Sequence, residues 1–238
     1  MRPLNWFRVL LLLVGCVGGL ALSGGSRSDE APTGAITGVV RFTGPVPRPR
    51  AIPTTDGGVI QHSDLVVDTK TKGLRHVVAV LQDAPAQPKL KNAKPVIVDQ
   101  RDMLFLPRVV AVQHGQPVRF ENNDLCNHSV QANSRVPANQ LNSIAGPNQP
   151  VEHTFEPQKG PVQIGCALHG WMRAWVYVVP HPWFAITDVQ GQFRIAAVPP
   201  GKYQLTFSHP DTNLRETRTV EVRAGKDTEV EVEWRKTE

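Results

Sequence analysis

Glycine and proline punctuate this chain so regularly that neither a long helix nor a coiled coil fits it: 19 Gly and 21 Pro stand among 238 residues. Their combined share stays below the about 25–30% of a low-complexity disordered chain, and 40% of the residues are hydrophobic. Between the breaks, apolar and polar residues alternate over short runs, which is the period of a half-buried strand. The alternation predicts strands at 36–42, 76–81, 96–99, 109–113, 117–121, 151–155, 162–164, 174–179, 184–187, 192–195, 203–207, 217–222 and 228–234. Weaker strands are expected at 65–68, inside an ambiguous stretch from 51 to 73, and at 129–131, inside a polar loop from 122 to 150. Gly225-Lys226 predicts a hairpin between the last two strands. Short strands at this spacing imply an all-β sandwich or barrel, and the length allows one or two domains with cores of their own.

The N-terminus reads as an export signal. Arg2 and Arg8 precede an uncharged run from Val9 to Leu22, too short to span a bilayer comfortably and suited to the apolar core of such a signal. Leu13-Val14-Gly15-Cys16 resembles a lipobox, which would make Cys16 a lipidated N-terminus. Ala21-Leu22-Ser23 offers cleavage before Gly24 instead, and a retained membrane anchor is the third reading. Each puts the folded part in the periplasm or elsewhere outside the cytoplasm, with residues 24–33 as a tether. Removing residues 1–23 takes away two Arg and no acid, so the net charge falls from +5 to +3. With acids and bases interspersed, that balance provides no footprint for nucleic acid.

Cys126 and Cys166 are the cysteines of the folded part, and in an oxidising compartment two cysteines suggest one disulfide. Their neighbours suggest something else. Cys166-Ala167-Leu168-His169-Gly170-Trp171-Met172 sets a thiol, an imidazole and a thioether between two predicted strands. Soft sulfur donors with imidazole select copper over hard cations, and one Cys with two His and a weak axial Met is a blue-copper set. His128, in Asn122-Asn123-Asp124-Leu125-Cys126-Asn127-His128-Ser129-Val130, is the natural second imidazole.

These stretches, together with Phe105-Leu106-Pro107 and His114-Gly115-Gln116-Pro117-Val118-Arg119-Phe120-Glu121, resemble a cupredoxin of the plastocyanin and amicyanin type over about residues 94–180. The short Cys-x-x-His-x-x-Met loop is most similar to that of amicyanin. The resemblance implies a Greek-key β-sandwich with one copper ion at one end, held by His128, Cys166 and His169 with Met172 axial. It also implies that His169, flanked by Leu168 and Trp171, presents a ring edge at the surface for electron passage. The residue after the first His is usually Asn in that family and is Ser129 here, which can make a shorter version of the bond between the ligand loops. A Cys126–Cys166 disulfide and a tetrahedral zinc site of Cys126, His128, Cys166 and His169 stay open as other readings. His62, His76, His114, His153, His181 and His209 share no spacing and read as surface or satisfied core residues.

Residues 183–238 resemble the carboxypeptidase regulatory-like, transthyretin-like sandwich through Ala185-Ile186-Thr187-Asp188-Val189-Gln190-Gly191-Gln192-Phe193 and Val198-Pro199-Pro200-Gly201-Lys202-Tyr203. Residues 188–191 form a turn in this reading, with Phe193 and Tyr203 pointing inward. The segments 36–40 and 77–81 resemble that family's first strands. The expected organisation is a discontinuous sandwich of 34–82 plus 181–238, a connector at 83–93, and the cupredoxin of 94–180 inserted between them. Three consecutive units are the alternative, but residues 34–82 offer few strands for a sheet of their own. This combination is similar to exported bacterial proteins described as plastocyanin-like or methylamine-utilisation-like.

The resemblance implies a one-electron carrier that meets redox protein partners outside the cytoplasm, attached to the membrane if the N-terminal lipid or anchor is kept. No enzymatic activity is expected, because the further His pairs of copper enzymes, a P-loop, a dinucleotide glycine pattern, HExxH and a c-type haem motif are all missing from the sequence. Copper or zinc binding without electron transfer is a second reading, motivated by Cys126. An envelope interaction protein with a structural cupredoxin lobe is a third.

Overall fold

The computed structural model describes residues 32–54 and 57–235. The signal, Cys16 and most of the tether lie outside the described residues. In chain order the strands are β1 (Gly34–Phe42), β2 (Arg50–Pro53), β3 (Val59–His62), β4 (Val78–Leu81), β5 (Val96–Arg101), β6 (Leu104–Leu106), β7 (Val109–Gln113), β8 (Val118–Asn122) and β9 (His128–Ala132). They continue as β10 (Leu141–Ala145), β11 (Val151–His153), β12 (Val162–Gly165), β13 (Arg173–Val179), β14 (Phe184–Ile186), β15 (Gln192–Val198), β16 (Gly201–Ser208), β17 (Arg215–Val222) and β18 (Asp227–Trp234). One turn of 3₁₀ helix at Pro137–Asn139 is the sole helical element among the described residues, so the protein is all-β as the breaker pattern requires. Among these residues no helix is long and apolar enough to cross a membrane.

Two sheets, ordered β15-β1-β18 and β14-β4-β16-β17, enclose one core built on Ile36, Phe42, Leu74, Phe193, Leu205 and Phe207. Phe193 and Tyr203 are buried, as the turn chemistry before them implies. Gly191 closes that turn at φ +77°, and a Cβ there would lie 2.3 Å from the carbonyl oxygen of Val40, so the strand and the turn meet only because this residue lacks a side chain. The expected hairpin at Gly225-Lys226 does not form. β17 pairs with β16, whereas β18 runs parallel to β1 in the opposite sheet. Val220 and Val222 enter the core from one side and Val232 and Trp234 from the other, so the turn carries the chain across the sandwich rather than back along it.

Two further sheets, ordered β10-β9-β12-β13-β7 and β11-β8-β5-β6, enclose a second core around Phe120. Its ring meets Phe105 and Phe155 edge to face, with centroids 6.2 and 6.5 Å away. β10 escaped the sequence reading because its register is inverted: Ile144 faces solvent, and the inward positions are Leu141, Ser143 and Ala145. In the stretch 51–73 the strand expected at 65–68 is reduced to a single bridge between Val67 and Leu74, and β2 pairs with β3 instead. That hairpin is mostly exposed, so it carries no inward apolar face for the pattern to reveal.

β13 serves both cores. Ala174 and Val176 face the second core, while Trp175 and Tyr177 turn toward the first sandwich, where Tyr177 packs with Val78 and Val109. Beside this apolar contact lies a buried polar cluster in which Arg108 donates to Asp211 at 2.7 Å and to the Ser63 carbonyl at 3.1 Å. Two histidines are buried at the same junction. Burial, aided by nearby cationic side chains including Arg108, holds His76 down to about 3. Burial also brings His209 down to about 4, against the pull of Asp211. The unfolded chain therefore takes up protons near pH 6.5 that the folded chain refuses, so stability falls as pH drops from there toward 4, by up to about 1.4 kcal/mol per pH unit for each group. Denaturant midpoints are expected to fall between pH 7 and pH 5. A flat profile would mean that these imidazoles are not held neutral.

Candidate metal centre

The sheet order assembles the centre. β12 ends at Gly165 and β13 begins at Arg173, its direct partner, so residues 166–172 close one hairpin loop that carries Cys166, His169 and Met172. β9 begins at His128 and pairs with the other edge of β12, Gln131 opposite Gly165, which brings His128 to the same end of the sheet. The Met172 N–H donates to the His169 carbonyl at 3.0 Å and tightens the loop. All four side chains are nearly closed off from solvent: His128 is 0% exposed, Met172 1%, Cys166 6% and His169 7%.

Nδ1 of His128 stands 2.9 Å from Nδ1 of His169, and Sγ of Cys166 stands 3.7 Å from that same His169 nitrogen. Two nitrogens bonded to one ion at about 2.0–2.1 Å are held about 3 Å apart. The donor set and its spacing therefore fit a copper ion, with Met172 buried in the same core as Cys166.

The electrostatics favour the same use. Burial pushes the Cys166 thiol up, but the His128 imidazole and the Ser129 backbone N–H, 3.3 Å from the sulfur, outweigh it and bring the thiol down to about 6. At neutral pH this is the thiolate, the form that binds a metal. Burial acts to lower His128, yet Cys166 and the Asp124 carboxylate hold it above its ordinary value.

Ser129 makes the short link expected of it. Its Oγ accepts from the Ala167 N–H at 2.7 Å, and its carbonyl accepts from Gln100 Nε2 at 3.1 Å, so the residue between the two ligand segments is held at three points. Ser129→Ala keeps the backbone bond to Cys166 and loses the one to Ala167, which lowers stability by about 0.5–1.5 kcal/mol. If the centre is loaded with copper, binding should persist with a shifted reduction potential. An unchanged melting temperature and potential would remove Ser129 from this role.

Sequence reasoning missed three supporting residues. Asp124 bonds Nε2 of His128 at 2.8 Å and accepts the N–H groups of Asp102 and Met103 at 2.8 and 3.0 Å. Asn122 donates to the carbonyls of Cys126 and Ala145 and accepts from the Asp124 N–H. The signal was present in the run Asn122-Asn123-Asp124, since such side chains bond nearby backbone and shape loops. Gln100 lies on β5, in the opposite sheet, and nothing local marks it.

No disulfide joins Cys126 and Cys166, so that reading fails. Ligand atoms of Cys126, His128 and His169 lie within 4.8 Å of one another, a grouping that leaves out Cys166. Cys126 addresses Nε2 of His128, at 3.7 Å, whereas His169 addresses Nδ1 of the same ring. One ion cannot use both nitrogens of one imidazole, and the Nδ1 side is the one that meets His169, whose own Nδ1 lies 3.7 Å from the Cys166 sulfur. The four residues of the zinc reading thus do not converge on one point.

His169 is more deeply placed than the resemblance implies. Trp171 covers it with ring centroids 5.3 Å apart, while Leu168 is half exposed and Leu125, at 98%, fully so. His62, His114, His153 and His181 bond Asp64, Glu156, the Ala138 carbonyl and the Leu81 carbonyl, away from the centre. His209 is a core histidine, buried beside the Arg75 backbone and Asp211.

The fold and site together define an all-β chain with a Cys, His, His, Met constellation at one sheet end. Residues 174–235 match the family model of the carboxypeptidase regulatory-like domain, beginning inside β13. Among solved structures, a reduced tryptophan-to-tyrosine mutant of amicyanin is similar at 22% identity, with 42% of this chain and 98% of that chain covered and a TM-score of 0.33. The Cu(I) form of a methionine-to-alanine mutant of amicyanin is similar at 20% identity with the same coverage and score. A purple cupredoxin from Nitrosopumilus maritimus is similar at 22% identity over 37% of this chain and 100% of its own, with a TM-score of 0.29. No curated protein matches the chain. Both resemblances stated from the motifs, cupredoxin and carboxypeptidase regulatory-like, are represented among these matches.

Proposed function

We propose that the protein is an exported type 1 copper protein that carries single electrons between redox proteins outside the cytoplasm and performs no catalysis. The approach of His128 Nδ1 to His169 Nδ1 at 2.9 Å, with the Cys166 sulfur 3.7 Å from the latter, carries this reading. His128, Cys166 and His169 would hold the ion and Met172 would cap it, and the bound copper would supply a one-electron couple. The chain's own contribution is rigidity: Ser129, Gln100 and Asp124 fix the donors before any metal arrives, so little has to move when the charge changes. Trp171 and the burial of the four donors exclude water from the centre. In this reading the copper sandwich of 94–180 is inserted into a sandwich of 34–82 plus 181–238 that serves as a docking or spacing module, and Cys16 offers a lipid attachment.

Adding Cu(II) to the mature protein is expected to produce an intense thiolate-to-copper visible band and an EPR signal with narrow copper hyperfine splitting. A colourless product with intact thiols would overturn the reading. A second reading, copper or zinc binding without electron transfer, is favoured by the thiol of Cys126 beside His128. An unchanged band in Cys126→Ser would make that thiol incidental to the centre.

A further inference from the structure

The thiol and thioether buried in the centre have a second pair outside them. Cys126 and Met103 are half-buried at the rim, with Sγ and Sδ 4.0 Å apart, and Sγ of Cys126 lies 3.7 Å from Nε2 of His128. None of these three atoms belongs to the set formed by His128 Nδ1, Cys166, His169 and Met172. Donors bonded to one ion at about 2.0–2.3 Å stand about 3.5–4 Å from one another, and the Cys126 sulfur stands at 4.0 Å from the Met103 sulfur and 3.7 Å from His128 Nε2. Thiolate, thioether and imidazole in low number suit a soft monovalent ion rather than a hard cation. The Met103 backbone is held in place: its N–H and that of Asp102 both bond Asp124, and its carbonyl accepts from Trp171 Nε1 at 3.2 Å.

We propose that Cys126, Met103 and Nε2 of His128 form a second copper site, selective for Cu(I), at the rim of the first. Binding transfers no electron. The ion replaces the S–H proton of Cys126, which leaves to solvent, and takes the place of the Nε2 proton of His128, which passes to Asp124 or solvent. Asp124 keeps its bonds to the two backbone N–H groups. The His128 ring then has one nitrogen toward each site. The inference does not depend on electron transfer at the first site, because it uses donors that site leaves aside.

The test is an anaerobic Cu(I) titration of the mature chain in competition with a chromophoric Cu(I) chelator, on the wild type, Cys126→Ser and Met103→Leu. The wild type is expected to hold two equivalents and each variant one, while both variants retain the Cu(II) visible band of the wild type, which reports that the first centre is folded and filled. One equivalent in a wild type that shows the band overturns the second site. Two equivalents in both variants overturn its donors. A wild type with no band that still falls from two equivalents to one on substitution would defeat the electron-carrier reading and leave this site standing.

Discussion

Cys166→Ser is expected to abolish the visible band completely and to weaken copper binding by more than the about 10–100-fold that loss of an outer partner costs. The sulfur is the soft donor that the rest of the loop is arranged around, and a serine hydroxyl is a hard one that stays protonated at neutral pH. The apo fold should survive. Cys166 packs at the edge of the second core, and a serine oxygen there can still accept from the Ser129 N–H that now meets the sulfur at 3.3 Å. Burying the hydroxyl costs about 1–3 kcal/mol. Absorption and EPR of the copper-treated variant, beside an apo melting curve, separate loss of the site from loss of the fold. A retained blue band would move the ligand thiolate to Cys126 and overturn the assignment.

Asp211→Ala is expected to produce the largest loss of stability, about 3–5 kcal/mol. The Asp211 side chain is 1% exposed and that of Arg108 13%, so removing the carboxylate leaves a largely buried guanidinium without its closest partner. Asp211 also accepts from Trp175 Nε1 at 2.8 Å, so the variant orphans a second donor. Asp64, 3.5 Å from Arg108, remains and keeps the cost toward the lower end of that range. Replacing the pair together, Arg108→Met with Asp211→Leu, should recover much of the loss, because a buried ion pair often does little better than a well-packed apolar pair. Chemical denaturation of the single and double variants checks this. A loss under about 1 kcal/mol in Asp211→Ala would mean that the junction admits water and screens the charge.

Much of the centre was legible because three of its donors sit in one loop between two strands that alternate clearly. Cys166, His169 and Met172 need only the pairing of β12 with β13 to share one loop at one end of the sheet. His128 was legible as a residue type, but its use required β9 to lie against the far edge of β12, and which ring nitrogen faces His169 required the Asp124 bond to the other. Gln100 and the cluster of Arg108 and Asp211 left no local trace: those two residues are 103 positions apart, and only packing of the sandwiches brings them together. The hairpin expected at Gly225-Lys226 shows the opposite case, where the local turn signal was real and the strands beyond it joined different sheets. A turn residue reports only how the chain bends, whereas sheet membership depends on the side from which the flanking valines enter the core.

By itself, the amino-acid sequence determined the all-β class, the positions of most strands, the loop that carries soft donors and the kind of metal those donors prefer. These follow from period two, from Gly and Pro breaks, and from ligand chemistry, all of which act over a few residues. Only the tertiary structure decided that β18 runs parallel to β1, that Cys126 faces the opposite nitrogen of His128 from the one that meets His169, and that Trp171 covers His169. Those outcomes depend on burial and on pairings between distant segments, where the free energy is a sum over the whole core and no single stretch contains the answer.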